Sequence, residues 1–372
     1  MKRKKKISLI TIFDNPNFGT YLQALALSLA LEKKDNKVEI VRYMRPIWHN
    51  PSKLRRKLRV LEPLLENIRI LIGSKYLKQR KGCRDFVSKY ISLSKIYYSF
   101  DELKSNPPKA DIYLTGSDQV WNTIHNHGID KSFYLGYVPE SVPKYAYAAS
   151  VGMNYIPDEY KEETKALLSQ YKAISVREQS NIALLESIGI KSEMVLDPTL
   201  LLTSEEWKKK AKIMNLSEPY VLVYSVESKE RDKQVGEIAQ LIAKAKKYKV
   251  YEVSYDGKER SILGCDRHFY YATPDVFLAL ITNADFIVGS SFHITAFAIN
   301  FNIDFISVAP DRFSSRIDNL LSMTGLLKRK ISDSASFDNS YLEECDFTQA
   351  NDFLNKERIK SNKFLEKISL SE

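Results

Sequence analysis

Apolar residues in this chain come in short unbroken runs, each followed by a longer stretch with helical spacing, and the alternation recurs along most of its length. The first run, Ile7–Phe13, alternates too little for a half-exposed strand and predicts a buried parallel one. The loop Asp14-Asn15-Pro16-Asn17-Phe18-Gly19 is turn chemistry. Beyond it, Leu22, Leu25, Ala26 and Leu29 repeat at helical spacing, and Val38–Val41 predicts the next strand. Further strands are expected at Ala110–Thr115, Lys144–Val151 and Ala173–Val176, and Ser192–Leu196 leads to Asp197-Pro198-Thr199. Helices are expected over Glu159–Gln170 and Ser180–Ile188, the second closing at Gly189 in a left-handed cap.

Thr203-Ser204-Glu205-Glu206 fits a capping box opening a helix over Trp207–Met214. A fresh series then starts at the strand Tyr220–Val226. It continues through helix Asp232–Lys247, strand Val250–Ser254, helix Pro274–Asn283, strand Asp285–Val288, helix Ser291–Phe301 and strand Ile303–Val308. Ile317–Leu326 reads as helical, residues 332–349 as polar and turn-rich, and Asn351–Ile368 as a last amphipathic helix.

Strand–helix alternation in both halves predicts an α/β protein of two doubly wound, Rossmann-like domains with mostly parallel sheets. A chain of 372 residues suits two domains, and its 44% hydrophobic content supplies a core for each. The expected boundaries are 1–215 for the first domain and 216–345 for the second. Residues 346–372 form a terminal helix, with packing back onto the first domain as one option.

The segment from about 45 to 105 differs in character. From Lys53 to Lys95 there are 13 Lys/Arg against Glu62, Glu66 and Asp85, a surplus that matches the net charge of +10 for the whole protein. Its apolar residues recur at helical spacing, so it reads as a basic amphipathic helical insertion in the first domain. Two roles stay open: a solvated face packed on the sheet, or a surface for anionic lipid or an acidic polymer. No nucleic-acid motif accompanies the charge, and nucleic acid is not expected as a partner.

The start, MKRKKKISLITIFDN, has the charges of a signal peptide, but its apolar run stops at Asp14 and no small-residue cleavage site follows. No stretch reaches the ~18 apolar residues of a membrane span. The expectation is a cytoplasmic protein, with peripheral contact at the inner face of the membrane as an option. Cys83, Cys265 and Cys345 are far apart and form no C-x-x-C, so neither a disulfide framework nor a zinc site is expected.

Candidate chemistry gathers where strands end, because ligands of doubly wound sheets bind outside the carboxyl ends of strands. Asn15, Asn17, Gly19 and Gln23 stand at the first such mouth. Gly116, Ser117, Asp118, Gln119 and Asn122 follow Thr115, and Arg177 follows Val176. Ser290, Ser291 and His293 open the helix after Val288, and Arg312 and Arg316 come just after the strand ending at Val308. Helix starts attract anions through unpaired N–H groups and the macrodipole.

His293 in such a first turn could act as acid or base; a partly buried histidine bonded to Ser290 or Ser291 is the plainer alternative. Asp118 could be a second acid/base group or an ordinary N-cap. Arg177, Arg312 and Arg316 could fork onto phosphate or carboxylate, or form surface ion pairs. G-x-G-x-x-G, G-x-x-x-x-G-K-[ST], D-x-D and H-E-x-x-H are all absent. His125-Asn126-His127 fits a polar loop better than a metal site, so no metal or cofactor is expected.

Several of these segments together resemble the polysaccharide pyruvyltransferase family. They are Asn17-Phe18-Gly19-Thr20-Tyr21-Leu22-Gln23-Ala24, the run GSDQVWN over Gly116–Asn122, and Val176-Arg177-Glu178 with Ser180 and Leu184. Leu196-Asp197-Pro198-Thr199, Ser290-Ser291-Phe292-His293 with Ala296–Ala298, and Arg312 with Ser315-Arg316 complete the set. The match spans roughly residues 7–330 in the family's order.

The resemblance implies a two-domain fold similar to GT-B glycosyltransferases. It also implies transfer of the pyruvyl group of phosphoenolpyruvate to two hydroxyls of a glycan sugar, giving a cyclic ketal in cell-surface polysaccharide biosynthesis. The donor is then a substrate and the acceptor a glycan, lipid-linked or free. The family's motif histidine falls on His293 and its motif arginine on Arg177. Where many relatives carry an arginine two residues before the Leu/Phe-His pair, this chain has Ser290-Ser291-Phe292, so Arg177, Arg312 or Arg316 would have to supply that cation. Two other readings stay open. A nucleotide-sugar glycosyltransferase of GT-B type usually presents a carboxylate from the helix after this junction, and Ser291–Phe301 has none. A non-catalytic relative binding glycan or a membrane surface would fit the serines and the basic segment.

Overall fold

The computed structural model describes residues 3–13, 17–45, 73–254, 265–311 and 315–371. Asn15, Arg312 and the 46–72 part of the basic segment lie outside them. Contacts divide the chain into two compact units. The first comprises Met1–Asn15, Thr20–Leu201 and Lys360–Glu372, and the second Pro16–Gly19 and Leu202–Ile359.

In the first unit β1 (Lys6–Ile10) leads through α1 (Phe18–Glu32) to β2 (Lys37–Tyr43), then through α2 (Lys75–Ser88) to β3 (Ser92–Tyr97). The chain goes on through α3 (Phe100–Ser105), β4 (Ile112–Thr115), α4 (Thr123–Asn126), β5 (Lys144–Ala149), α5 (Asp158–Leu168), β6 (Ala173–Val176), α6 (Ser180–Glu186) and β7 (Glu193–Met194). The sheet order is β3-β2-β1-β4-β5-β6-β7, and every pairing is parallel. β4 and β5 are buried along their whole length, as a sheet covered on both faces requires. Within the segment expected as a helical insertion, α2 is helical, but Ser92–Tyr97 is the edge strand β3, in register with Glu39–Tyr43 of β2. Its polar sequence, SLSKIY, gains its pairing from β2 rather than from its own pattern. Gly189 ends the turn after α6 at φ +79, the left-handed cap that glycine makes cheap.

In the second unit α7 (Ser204–Lys208) opens with the expected capping box between Thr203 and Glu206. Then come β8 (Tyr220–Tyr224), α8 (Lys229–Lys246), β9 (Lys249–Val253), β10 (Arg267–Phe269), α9 (Pro274–Thr282), β11 (Phe286–Gly289), α10 (Phe292–Phe301), β12 (Phe305–Val308), α11 (Ser315–Met323) and β13 (Lys330–Ile331). The order is β10-β9-β8-β11-β12-β13, again all parallel. Val235, Ile238, Ala239 and Ile242 of α8 lie on one helical stripe and pack against Val221, Val223, Phe286, Val288 and Ile306 of the sheet. Each fully buried Val, Ile or Phe side chain of this set contributes roughly 1.5–3 kcal/mol of transfer free energy.

The first unit ends by contacts at Leu201, ahead of the boundary expected at 215. The reason is α7, whose buried Trp207 sits edge-on to Phe297 of α10, ring centroids 5.4 Å apart. The last helix, α12 (Thr348–Ser369), divides between the units at Ile359 and Lys360. In the first unit its Phe364 lies 6.1 Å from the Tyr147 ring, and Ser361 Oγ accepts a hydrogen bond from the Leu196 amide at 3.0 Å. Among the described residues no helix is long and apolar enough to cross a membrane.

Candidate functional site

Both sheets reverse direction of travel at their centre, between β1 and β4 in the first and between β8 and β11 in the second. Such switch points leave a crevice at the strands' carboxyl ends. Of the residues singled out in the sequence, the described ones stand at or near these ends, on loops and in the first turns of the helices that follow.

In the first unit the loops after β1, β4, β6 and β7 are tied together by buried polar groups. Thr11 Oγ1 donates to the Ser117 carbonyl at 2.6 Å, and Gln23 Nε2 donates to Thr11 Oγ1 at 3.0 Å. Gly116 is the residue that permits this approach, since a Cβ there would lie 2.9 Å from both Leu9 and Thr11. Ser117 Oγ donates to Asp197 Oδ2 at 3.1 Å, and Asp197 Oδ1 accepts from the Thr199 amide at 2.9 Å. Arg177 donates through Nε to Glu178 at 2.8 Å and through Nη1 to Asp197 at 3.0 Å. All three side chains are almost wholly buried. Burial alone would lower the Arg177 pKa, but the charges of Glu178, Asp197 and Asp118 outweigh it and raise it above the ordinary value. The structure therefore places Arg177 inside an ion-paired network, with two of its nitrogens held by carboxylates.

Asp118 caps no helix. It sits at φ +78, in the left-handed region that aspartate tolerates better than most side chains. Its carbonyl accepts from the Ser150 amide at 3.0 Å and its Oδ1 from the Gln119 amide at 2.9 Å. The helix cap nearby is Asn122, whose Oδ1 accepts from the Ile124 and His125 amides, both at 3.0 Å. Asn122 Nδ2 donates to Gln119 Oε1 at 2.6 Å, so these two candidate substrate groups hold each other. His127, closing α4 at φ 55, lines an open groove of about 720 Å³ with Ile124, Tyr155 and Tyr160.

Arg45, just past the end of β2, was not singled out in the sequence. It is buried, donates through Nη1 to Asn126 at 2.8 Å, and lines a 320 Å³ pocket with Tyr43, Phe100 and Asp130. Burial pushes its pKa down to about 10, against the opposing charges of Asp118 and Asp130. Burial likewise raises Asp130, opposed by hydrogen bonds from Ser132 and Tyr43 and by the Arg45 charge.

In the second unit His293 lies in the first turn of α10 and is buried. Its ring rests directly on the α-carbon of Gly19: a Cβ at position 19 would lie 2.0 Å from Nδ1 and 2.3 Å from Cγ. The Gly19 amide donates to Asn17 Oδ1 at 2.9 Å, which fixes the backbone beneath the ring. Phe292 meets His293 edge-on with centroids 5.4 Å apart, and the Arg316 guanidinium carbon stands 6.0 Å over the Phe292 ring. Ser290 Oγ pairs with Ser225 Oγ at 2.8 Å, and Ser225 in turn donates to Asp232. Ser291 takes the N-cap position of α10 without a side-chain cap bond; its carbonyl accepts from Thr295 at 3.2 Å. α10 carries no Asp, Glu, Lys or Arg.

Two acidic residues at this edge were also missed. Glu227, after β8, accepts from the Asp311 amide at 3.2 Å, and burial raises its pKa. Asp311, after β12, would be raised by burial, but hydrogen bonds from Ser228 and Arg231 bring it below the usual carboxylate value.

A family model described as polysaccharide pyruvyl transferase matches residues 17–312, well over half of the chain. The chain belongs to the polysaccharide pyruvyl transferase family. Its sheet architecture agrees with GT-B-type epimerases and glycosyltransferases of known structure. A putative UDP-N-acetylglucosamine 2-epimerase from Listeria monocytogenes has a TM-score of 0.54 at 12% identity, covering 97% of this chain and 91% of its own. The UDP-GlcNAc 2-epimerase of Neisseria meningitidis bound to UDP-GlcNAc gives 0.53 at 12%, over 100% and 95%. Arabidopsis thaliana UGT89C1 complexed with UDP-L-rhamnose gives 0.52 at 10%, over 99% and 99%. These likenesses concern fold alone. A comparison with curated proteins found no match. As a pyruvyl transferase family member, the chain presents its GSDQ and Arg-Glu motifs on the first sheet's loops and its Ser-Ser-Phe-His motif on the second's.

Proposed function

We propose that the protein transfers the pyruvyl group of phosphoenolpyruvate to two hydroxyls of a glycan sugar, forming a ketal and releasing phosphate. The observation that carries this reading is the placement of His293, in a family of pyruvyl transferases, buried at a helix start and seated on Gly19. An imidazole held this way can take a proton as base or, once protonated, give one as acid. The alkene of the donor takes a proton at its methylene carbon, leaving an oxocarbenium-like centre at C2. One sugar hydroxyl adds there and loses its proton to a base. The second hydroxyl then displaces phosphate, with cleavage of the C2–O bond, and its proton leaves with the phosphate. His293 and Asp118 are the groups proposed for these proton transfers, with acid and base unassigned between them.

Phosphoenolpyruvate brings a phosphate and a carboxylate, so the site must supply positive charge. Arg177 is already neutralised by Glu178 and Asp197, which suits it to positioning loops. Arg316, beside Phe292 and in electrostatic reach of Glu227, is the cation proposed for the donor, together with the N–H groups of the α10 start. The acceptor is a cell-surface glycan, lipid-linked or free. The basic segment 45–105 would bring the protein to the anionic inner face of a membrane.

The test is phosphate release from phosphoenolpyruvate with a panel of free and lipid-linked glycans, together with the mass gain of a pyruvyl ketal on the acceptor. Hydrolysis of a nucleotide sugar in place of that reaction would overturn the proposal, and so would near-full turnover by His293→Ala. Arg316→Ala should raise the KM for phosphoenolpyruvate by about tenfold or more, the ~1.5–3 kcal/mol of a charged hydrogen bond. Its melting temperature should stay close to that of the parent protein.

A further inference from the structure

The second sheet brings together three side chains that the proposed transfer does not use. Glu252 on β9 and His268 on β10 are register partners across a parallel pairing. His268 Nδ1 stands 2.9 Å from Glu252 Oε2. Cys265, three residues before His268, brings its sulfur to the same place, so that one potential ligand atom from each residue lies within 4.8 Å of the others. Among the described residues no other group of His, Cys, Asp and Glu has this geometry. Glu252 is buried, whereas Cys265 and His268 are partly exposed, which leaves a side from which an ion can enter.

We propose that Glu252, Cys265 and His268 form a binding site for a zinc-class divalent cation. Thiolate, imidazole and carboxylate together suit zinc, whereas magnesium and calcium take oxygen ligands. Zinc bonds of about 2.0–2.3 Å in a tetrahedron put ligand atoms roughly 3.3–3.8 Å apart, so the cluster needs adjustments of ~1 Å or less. Binding displaces the Cys265 proton to solvent and leaves thiolate, carboxylate and neutral imidazole on the ion. The ion's charge is then balanced within the site, and water takes the fourth position. The three cysteines show no metal spacing when read along the chain, and the site exists because β9 and β10 pair. β10 and β11 are three strand positions apart, about 14 Å, so this site is separate from the start of α10. The simpler alternative is an ion pair between Glu252 and His268 with a thiol nearby.

The two are separated by titrating untagged, chelator-stripped protein with Co²⁺ and then Zn²⁺. The proposal expects one Co²⁺ per chain with a sulfur-to-cobalt absorption band in the near ultraviolet, displaced by zinc. Cys265→Ser, at a partly exposed position, should keep the fold by circular dichroism and lose the band. His268→Ala should weaken zinc binding by an order of magnitude or more. Absence of stoichiometric binding in the parent protein, or a band that survives Cys265→Ser, would overturn it.

Discussion

Replacing Gly19 by alanine adds one methyl group, and the structure says where it goes. Its carbon would fall 2.0 Å from His293 Nδ1, 2.3 Å from Cγ and 2.6 Å from Cε1. Carbon pairs settle at about 3.5 Å or more, so the ring must retreat by about 1.5 Å or the backbone must yield. The ring has little room to do so, because His293 is buried and Phe292 stands against its edge. Overpacking of this kind costs typically 1–3 kcal/mol, a loss of about 2–4 °C in melting temperature per kcal/mol for a unit of this size. On the role proposed for His293, catalysis is more sensitive, since a displacement of ~1 Å at a reacting group costs about 10²-fold. Gly19→Ala should therefore remain folded at 25 °C and release phosphate from phosphoenolpyruvate about 100-fold more slowly. The measurement is kcat at saturating donor, beside a thermal melt of the same sample. A folded variant within a few-fold of parental kcat would refute the argument that the ring's seat on Gly19 matters.

Two further predictions concern stability. Arg177→Met leaves Glu178 and Asp197 buried without their cation and should cost about 3–5 kcal/mol in a denaturant titration; Arg177→Lys should recover only part, because one ammonium cannot reproduce the two-pronged contact. Glu227 has its pKa raised by burial, so the folded state holds its proton more tightly than the unfolded chain does. Its contribution to stability is then complete below about pH 4.5, the ordinary value, and is lost as pH rises through the higher folded value. Glu227→Gln should gain melting temperature relative to the parent at pH 7 and lose that gain at pH 4. An equal difference at both pH values would count against it.

The central strands and the helices between them were legible because burial on both faces writes itself as uninterrupted apolar runs. Ala173–Val176 matches β6, and the Thr203–Glu206 capping box stands as read. The edge strands were not legible. SLSKIY of β3 and the three residues of β10 have no pattern of their own and become strands by pairing with a neighbour. The candidate site shows the same division. Glycine, serine and asparagine directly after a buried run mark a strand-to-helix mouth, so the junctions around Gly116 and Ser290 could be found. Which partners each side chain meets could not, because that depends on sheet order. Arg45 gains its importance only when β2 and the loops beyond β4 are assembled, and Glu227 only when β8 and β12 share an edge. Asn122 shows another limit: the motif does not reveal that its side chain caps a helix.

The Ser117–Asp197–Arg177 network also bears on how the first unit assembles. Its members come from three loops well separated along the chain, and each is a burden to bury until the others are present. Loop closures of that length come late, after neighbouring strands have paired. Interactions absent from the folding transition state act on the rate of unfolding rather than on the rate of folding. In a chevron analysis, the stability lost in Arg177→Met would thus appear as a steep rise in the unfolding rate with the folding arm almost unmoved. The network then sets how long a folded molecule lasts, and has little part in how quickly one forms.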